Sequence, residues 1–469
     1  MNVEQIYTGC LAQGAYYIHS SGEAAIIDPL REVTPYIERA EKDGVKIKYI
    51  FETHFHADFV SGHLTLSEKT NAPIIYGPNA NPSFEAHIAQ DGEVFKIGDI
   101  QIKVLHTPGH TMESTTYLLL DEVGSEHAIF TGDTLFLGDV GRPDLTQKFD
   151  ESNMEDLAGF AYDSLRNKIM PLPDDVIIYP AHGAGSTCGK NMMKATMDTL
   201  GNQKKMNYAL RADMSKEEFI KEVTDGLLPP PAYFPQNVKL NKEGYQHIDT
   251  IIERGKRAYS PNEFETLVNE SDVLMLDIRT PFDFAMGHIP NSIFIGLDGS
   301  FAPWVGELIV DTQQKIVLIA PEDREEEAIT RLARVGFDNV MGYLKGGFKA
   351  WNDTGKDIDT VTSVPATSLE KAYIENSDKI FDVRRESEYL SEHIKKAHNI
   401  PLGTINNHLK KFPKEVTFYI YCAGGYRSMI ASSILKARGY HNFINVQGGF
   451  KAIKKTTISV TDYVCPSFL

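Results

Sequence analysis

The stretch THFHADFVSGH, residues 53–63, sets His54 and His56 two apart and Asp58 two further on. Imidazole nitrogen and carboxylate oxygen are the donors that first-row transition metals favour. Three more such residues follow in separate motifs: His110 in HTPGHT, Asp133 in FTGDTLF and His182 in YPAHG. A lone histidine is more often a hydrogen-bonded core or loop residue than a ligand. Six candidates gathered in four motifs point instead to a metal cradle. Phe59 directly follows Asp58, where one more ligand would extend the cradle. Cys188 lies six residues after His182 and so belongs near the metal. A thiol there can take up sulfane sulfur or be oxidised, and so can Cys10; small buried cysteines are the plain alternative for both.

A second constellation lies near the C-terminus. Cys422 directly follows the apolar run FYIY, and AGGY and Arg427 follow it before a helical stretch. Loop N–H groups and a helix N-terminus turned toward a thiol lower its pKa, and the thiolate is the sulfur nucleophile. Cys465 is read as incidental. Four cysteines are too few and too scattered for a disulfide framework, and MNVEQIYTGC lacks the pattern of a signal peptide. The expectation is a cytoplasmic protein with reduced thiols.

Short apolar runs must position these residues. IKYIFETH, IQIKVLHTPGH, HAIFTGD and VIIYPAH each carry a histidine or aspartate at the end of the run or just beyond it. Strands ending at one edge of a sheet build a site on a rigid frame. The segment 226–245, with three successive prolines, reads as an extended tail and linker, and Ser215 with Glu218 before it reads as a capping box. The second half repeats itself. MLDIRTPFDFAMGHIPNSIFI (275–295) matches IFDVRRESEYLSEHIKKAHNI (380–400), with Asp277 against Asp382 and His288 against His393, and YLKGGFKAW matches NVQGGFKAI. Alternating strands and amphipathic segments make each unit an α/β domain with a largely parallel sheet. The chain of 469 residues is too long for one core, and its net charge of −17 argues against nucleic acid as a partner. No apolar stretch approaches a membrane span.

THFHAD, HTPGHT, FTGDTLF and YPAHG, in that order, resemble the metallo-β-lactamase superfamily over about residues 1–245. The resemblance implies an αββα sandwich with the metal at one edge of its two sheets, and with Phe59 in place of a ligand it implies a single ion. THFHADF, GHTMESTTY, GDTLFLGDVGRPDL, AHGAGSTCGK and LPPPAYFP together resemble the persulfide dioxygenases. That likeness implies one Fe(2+) per chain held by His54, His110 and Asp133, with His56, Asp58 and His182 orienting ligands or handling protons. It implies oxidation of a thiol persulfide (glutathione, coenzyme A or bacillithiol type) by O2 to sulfite. Arg142 in GRPDL would then pair with a carboxylate or phosphate of the thiol carrier, or else form a loop salt bridge. Around Cys422 and Arg427 the chain resembles the rhodanese family, which implies sulfur transfer between persulfide, sulfite and thiosulfate. In the preceding repeat Ala320 stands opposite Cys422 and Glu325 opposite Arg427, so that rhodanese-like domain is expected to be inactive. The expected organisation is a multidomain α/β chain: an αββα domain over 1–245, an inactive rhodanese-like domain over 257–360 and an active one over 365–460. A zinc-dependent thioester hydrolase of the glyoxalase II type, fused to sulfur-carrier domains, is the alternative. Whether the chain forms a homo-oligomer stays open.

Overall fold

The computed structural model describes residues 1–145, 153–227 and 229–465. The chain folds into two compact units, Met1–Thr250 with Leu332–Gly336, and Ile251–Arg331 with Phe337–Leu469.

The first unit is built on two six-stranded sheets. One runs in sequence order through β1 (Asn2–Thr8), β2 (Gln13–Ser20), β3 (Glu23–Ile27), β4 (Lys46–Phe51), β5 (Ile74–Tyr76) and β6 (His87–Ile88). The other contains β7 (Val94–Ile97), β8 (Ile100–His106), β9 (Thr115–Leu120), β10 (Glu126–Gly132), β11 (Ile177–Pro180) and β12 (Asp198–Thr199). The period-2 alternation of strands decides what each sheet faces. Tyr16, Ile18, Ala25 and Ile27 pack against Ile102, Val104, Tyr117 and Phe130 between the sheets. Their neighbours Ala15, Tyr17, Ala24 and Ile26 face outward onto Val33, Tyr36 and Ala40 of and beside α1 (Thr34–Asp43) and onto Leu66 of α2 (His63–Thr70). On the far side Leu118, Ile129 and Ile178 meet Ala161 of α3 (Met154–Ser164), while α4 (Leu200–Met206) contributes Leu200 and α5 (Lys216–Thr224) contributes Phe219 and Val223. The layer order is therefore helix, sheet, sheet, helix, as expected. The capping box at Ser215 and Glu218 opens α5.

One expectation is corrected. Residues 226–245 are not an extended tail throughout, because α6 spans Phe234–Glu243. The three successive prolines end before it, and Pro235 sits in its first turn, where no intrahelical N–H is needed.

The second unit holds two five-stranded sheets. Their spatial orders are Ala258–Tyr259, Val340–Leu344, Lys315–Ile319, Val273–Asp277, Ile293–Phe294, and Ser363–Pro365, Phe443–Gln447, Phe418–Tyr421, Ile380–Asp382, His398–Asn399. Numbered along the chain, both read first, fifth, fourth, second, third, and every strand pair is parallel. Asp277 binds Arg279 through both carboxylate oxygens, and Asp382 binds Arg384 in the same way. His288 Nδ1 lies 2.9 Å from Phe284 O and His393 Nδ1 2.6 Å from Tyr389 O. The repeated aspartates and histidines are thus frame residues of a duplicated fold.

Candidate functional site

The loops after β4, β8, β10 and β11 bring all six candidate ligands into the first unit, and all six are buried. His110 Nε2 and His54 Nε2 lie 3.4 and 3.9 Å from Asp133 Oδ2. His182 Nε2 lies 3.6 Å from Asp133 Oδ1 and 3.3 Å from Asp58 Oδ2. Among the described residues, neither oxygen of Asp133 accepts a hydrogen bond. A buried carboxylate left so is costly unless a cation meets it, and two imidazole nitrogens already face it. The donor set of His54, His110 and Asp133 fits one transition-metal ion, and the three ligand atoms lie within 4.8 Å of one another.

The remaining ring nitrogens are held from behind. His54 Nδ1 lies 3.0 Å from Thr53 Oγ1, and Thr53 donates its N–H and its hydroxyl to Asp28 at 2.8 and 2.9 Å. His110 Nδ1 lies 2.8 Å from the carbonyl oxygen of Arg142. Such contacts fix the tautomer that leaves Nε2 free to ligate. Gly141 is required there, because a Cβ would strike the carbonyl oxygen of Asp133. Burial, then the histidines His56, His110 and His182, push His54 well down, so it stands neutral. His56 turns Nε2 toward Asp28 Oδ1 at 3.1 Å and Glu52 Oε2 at 3.5 Å, with its ring 4.3 Å from that of Phe59. Burial and the Asp28 carboxylate raise Glu52 well above the usual carboxylate range. Burial works against charge on His182 and on Asp58, but their mutual attraction prevails, raising the histidine and lowering the acid.

Cys188 is buried and its sulfur joins Asp133 and His182 in one cluster; burial, then Asp58 and Asp133, push its thiol up to about 12. Cys10 is half-buried in the turn after β1 and belongs to none of these clusters among the described residues. Arg142 forms a two-pronged ion pair with Asp144 at 2.6 and 2.7 Å.

Sequence reasoning missed three supports: Asp28, Glu52 and Asn241. The first two sit in AAIIDP and IFETH, at strand ends like the six candidate ligands. Asn241 of α6 gave no signal. Its buried amide donates to His56 O and Phe59 O, both at 2.8 Å, and accepts from Ser61 N at 2.9 Å. Asn241→Leu would strand three buried backbone groups at about 1–3 kcal/mol each. The expected loss exceeds about 3 kcal/mol in urea unfolding; a loss under about 1 kcal/mol would show that the 53–63 loop is held by other means.

In the second unit Cys422 follows the strand Phe418–Tyr421, and the helix Tyr426–Ala437 begins four residues later. Gly425 adopts φ 109° and points its N–H at Cys422 Sγ, 3.1 Å away. Arg427 Nη1 and Nη2 lie 2.6 and 2.8 Å from the two oxygens of Glu388. In the preceding domain Ala320 occupies the corresponding place after Lys315–Ile319. A Cβ on Gly347 would meet Ala320 O, as one on Gly449 would meet Cys422 O. No nucleophile stands there, and Arg324 is tied to Asp298 and Glu327.

Residues 8–182 match the family model of the Metallo-beta-lactamase superfamily, and residues 260–354 and 366–456 match that of the Rhodanese-like domain. A probable hydroxyacylglutathione hydrolase of Schizosaccharomyces pombe is 34% identical over 163 residues, 34% of this chain; the chain spans 59% of that relative's length. The mitochondrial persulfide dioxygenase of Homo sapiens is 31% identical over 214 residues, 45% of this chain and 75% of that protein. A solved metallo-beta-lactamase from Staphylococcus aureus subsp. aureus COL is 32% identical with a TM-score of 0.65, covering 73% of this chain and 98% of its own. Among the described residues no helix is long and apolar enough to cross a membrane.

Proposed function

This chain belongs to the metallo-beta-lactamase superfamily and continues into two rhodanese domains; from that premise we propose that it oxidises a low-molecular-weight thiol persulfide at a single iron and handles sulfane sulfur at Cys422. The observation that carries the reading is the unpartnered carboxylate of Asp133 faced by Nε2 of His54 and His110, in one chain with a loop cysteine. Two histidines and one carboxylate suit iron(II), because they leave positions open for a sulfur donor and for dioxygen. Bound there, the iron would supply the redox chemistry that joins sulfur to O2. The overall reaction is R–S–SH + O2 + H2O → R–SH + SO3²⁻ + 2 H⁺. The chain's part is to present unprotonated Nε2 atoms through the contacts of Thr53 and the Arg142 carbonyl, and to cover the neighbouring His56 with the buried ring of Phe59. Asp58 and His182, 3.3 Å apart, can hold a proton between them.

At Cys422 the thiolate takes the terminal sulfur and the donor's S–S bond breaks: Cys422–S⁻ + R–S–SH → Cys422–S–SH + R–S⁻. After loss of a proton, sulfite accepts that sulfur: Cys422–S–S⁻ + SO3²⁻ → Cys422–S⁻ + S–SO3²⁻. The test is metal content together with O2 uptake against glutathione, coenzyme A and bacillithiol persulfides. One iron per chain with persulfide-dependent uptake supports the reading. The second reading is a zinc thioester hydrolase, favoured by the second donor cluster of His56, Asp58 and His182 and by the hydrolase relative. Two zincs with thioester hydrolysis and no O2 uptake would replace the first reading with it.

The middle domain is, in this account, catalytically silent. Ala320→Cys alone is expected to stay near background in thiosulfate:cyanide transfer, because the loop lacks the glycine pair of 424–425 and carries Glu322, Asp323 and Glu325. Replacing residues 320–325 by CAGGYR in a Cys422→Ser chain should recover measurable transfer. A point variant as active as the native last domain would show that the acidic loop is no barrier.

A further inference from the structure

The arginine of the Cys422 loop is already neutralised. Glu388 holds both of its terminal nitrogens, and the neighbouring Arg384 is held by Asp382. Ala423, Gly424, Gly425 and Tyr426 add no charge. Burial opposes charge on Glu388, yet Arg427 lowers its pKa, so the pair is ionic. At the sulfur of Cys422 a donor thus meets the Gly425 N–H, beside the compensated Glu388–Arg427 and Asp382–Arg384 pairs, with the exposed Lys451 the next cation along the loop. The duplication shows that the fold does not require the Glu388–Arg427 pair. In the middle domain Asp283 occupies the place of Glu388 and Glu325 that of Arg427, and the same sheet order forms. Two acids stand there where the last domain has an acid and a base.

We propose that Glu388 sets the donor specificity of the Cys422 loop: by compensating Arg427 it disfavours thiosulfate, whose transferable sulfur sits on a dianion, and favours persulfides, whose reacting end carries at most one charge. The transfer step is the one written above, in which the donor's S–S bond breaks as the bond to Cys422 Sγ forms and the electron pair leaves with R–S⁻, or with SO3²⁻ when thiosulfate is the donor. Cyanide then takes the outer sulfur as SCN⁻, and the electron pair of the broken S–S bond returns to Cys422–S⁻. The same weak hold on a dianion lets thiosulfate depart once made. Glu388 acts through Arg427 and is a positioning residue. The inference rests on Cys422 being the sulfur acceptor.

The test uses the full chain, with kcat and KM measured separately for sulfur transfer to cyanide from thiosulfate and from hydroxyethyl persulfide, whose carrier is uncharged. In Glu388→Gln the KM for thiosulfate should fall roughly fivefold, while that for the persulfide stays within about twofold. Glu388→Asp keeps the charge and should keep the wild-type ratio of the two KM values. An unchanged ratio in Glu388→Gln, or the same change in both variants, would overturn the proposal. So would loss of the native circular dichroism in Glu388→Gln, because the pair would then be structural. Transfer from neither donor by the wild-type chain would instead overturn the reading of Cys422 itself.

Discussion

Asp133→Ala is expected to leave the chain without iron and without persulfide-dependent O2 uptake. Asp133 is the carboxylate that His54 and His110 face, at 3.9 and 3.4 Å, and no donor among the described residues satisfies either of its oxygens. Losing a residue that merely orients a ligand lowers metal affinity about 10–100-fold, so losing a ligand should exceed the upper figure. Iron per chain after gel filtration would fall from about one to near zero, and O2 uptake would drop by more than about a hundredfold. A second readout needs no loaded enzyme. In chelator-treated protein the wild type buries a carboxylate with no hydrogen bond, and the alanine variant does not. The variant should therefore melt no lower than the chelated wild type, although the two differ in a fully buried position. Full iron occupancy and normal O2 uptake in Asp133→Ala would sink the assignment of this residue as a ligand.

The ligand candidates were legible because they end strands. A strand pins its last residues to one edge of a sheet, so motifs far apart in sequence share an edge once the sheets stack. The contacts that steady them were not legible for the same reason. Asp28 accepts from Thr53 across 25 positions, and Asn241 donates to the carbonyl of His56 across 185. No local pattern marks a side chain whose partner is a distant backbone group. Arg142 illustrates the point: its side chain invited a prediction, while its backbone carbonyl steadies His110. The helix Phe234–Glu243 is masked in the sequence by the three prolines just before it, whereas Pro235 lies where a helix accepts proline. The duplication was legible, and it extends to the identical strand order of both sheets. That Glu388 clasps Arg427 was not, because 39 residues separate them.

Cys422→Ser should abolish sulfur transfer and leave O2 uptake within about twofold of the wild type, because every candidate metal ligand lies in the other compact unit. Serine keeps an atom that can accept the Gly425 N–H, now 3.1 Å from sulfur, so the loop should hold its shape. What is lost is the thiolate. A hydroxyl is almost wholly protonated at neutral pH and does not attack sulfane sulfur, whereas a thiol has a pKa of about 8.5 before its surroundings act on it. Without that acceptor, sulfite from the proposed oxidation has no enzyme-bound persulfide to react with. The product of persulfide oxidation should accordingly shift from thiosulfate to sulfite, read by separating both anions over the time course of O2 uptake. Sulfite also reacts spontaneously with free persulfide, so the thiosulfate yield must be compared with a protein-free mixture at the same sulfite level. A yield in Cys422→Ser equal to that of the wild type after this correction would show that Cys422 does not carry sulfur between the two chemistries. Loss of O2 uptake together with transfer would show instead that the sites are not separable, and that the loop at Cys422 supports the first reaction as well as the second.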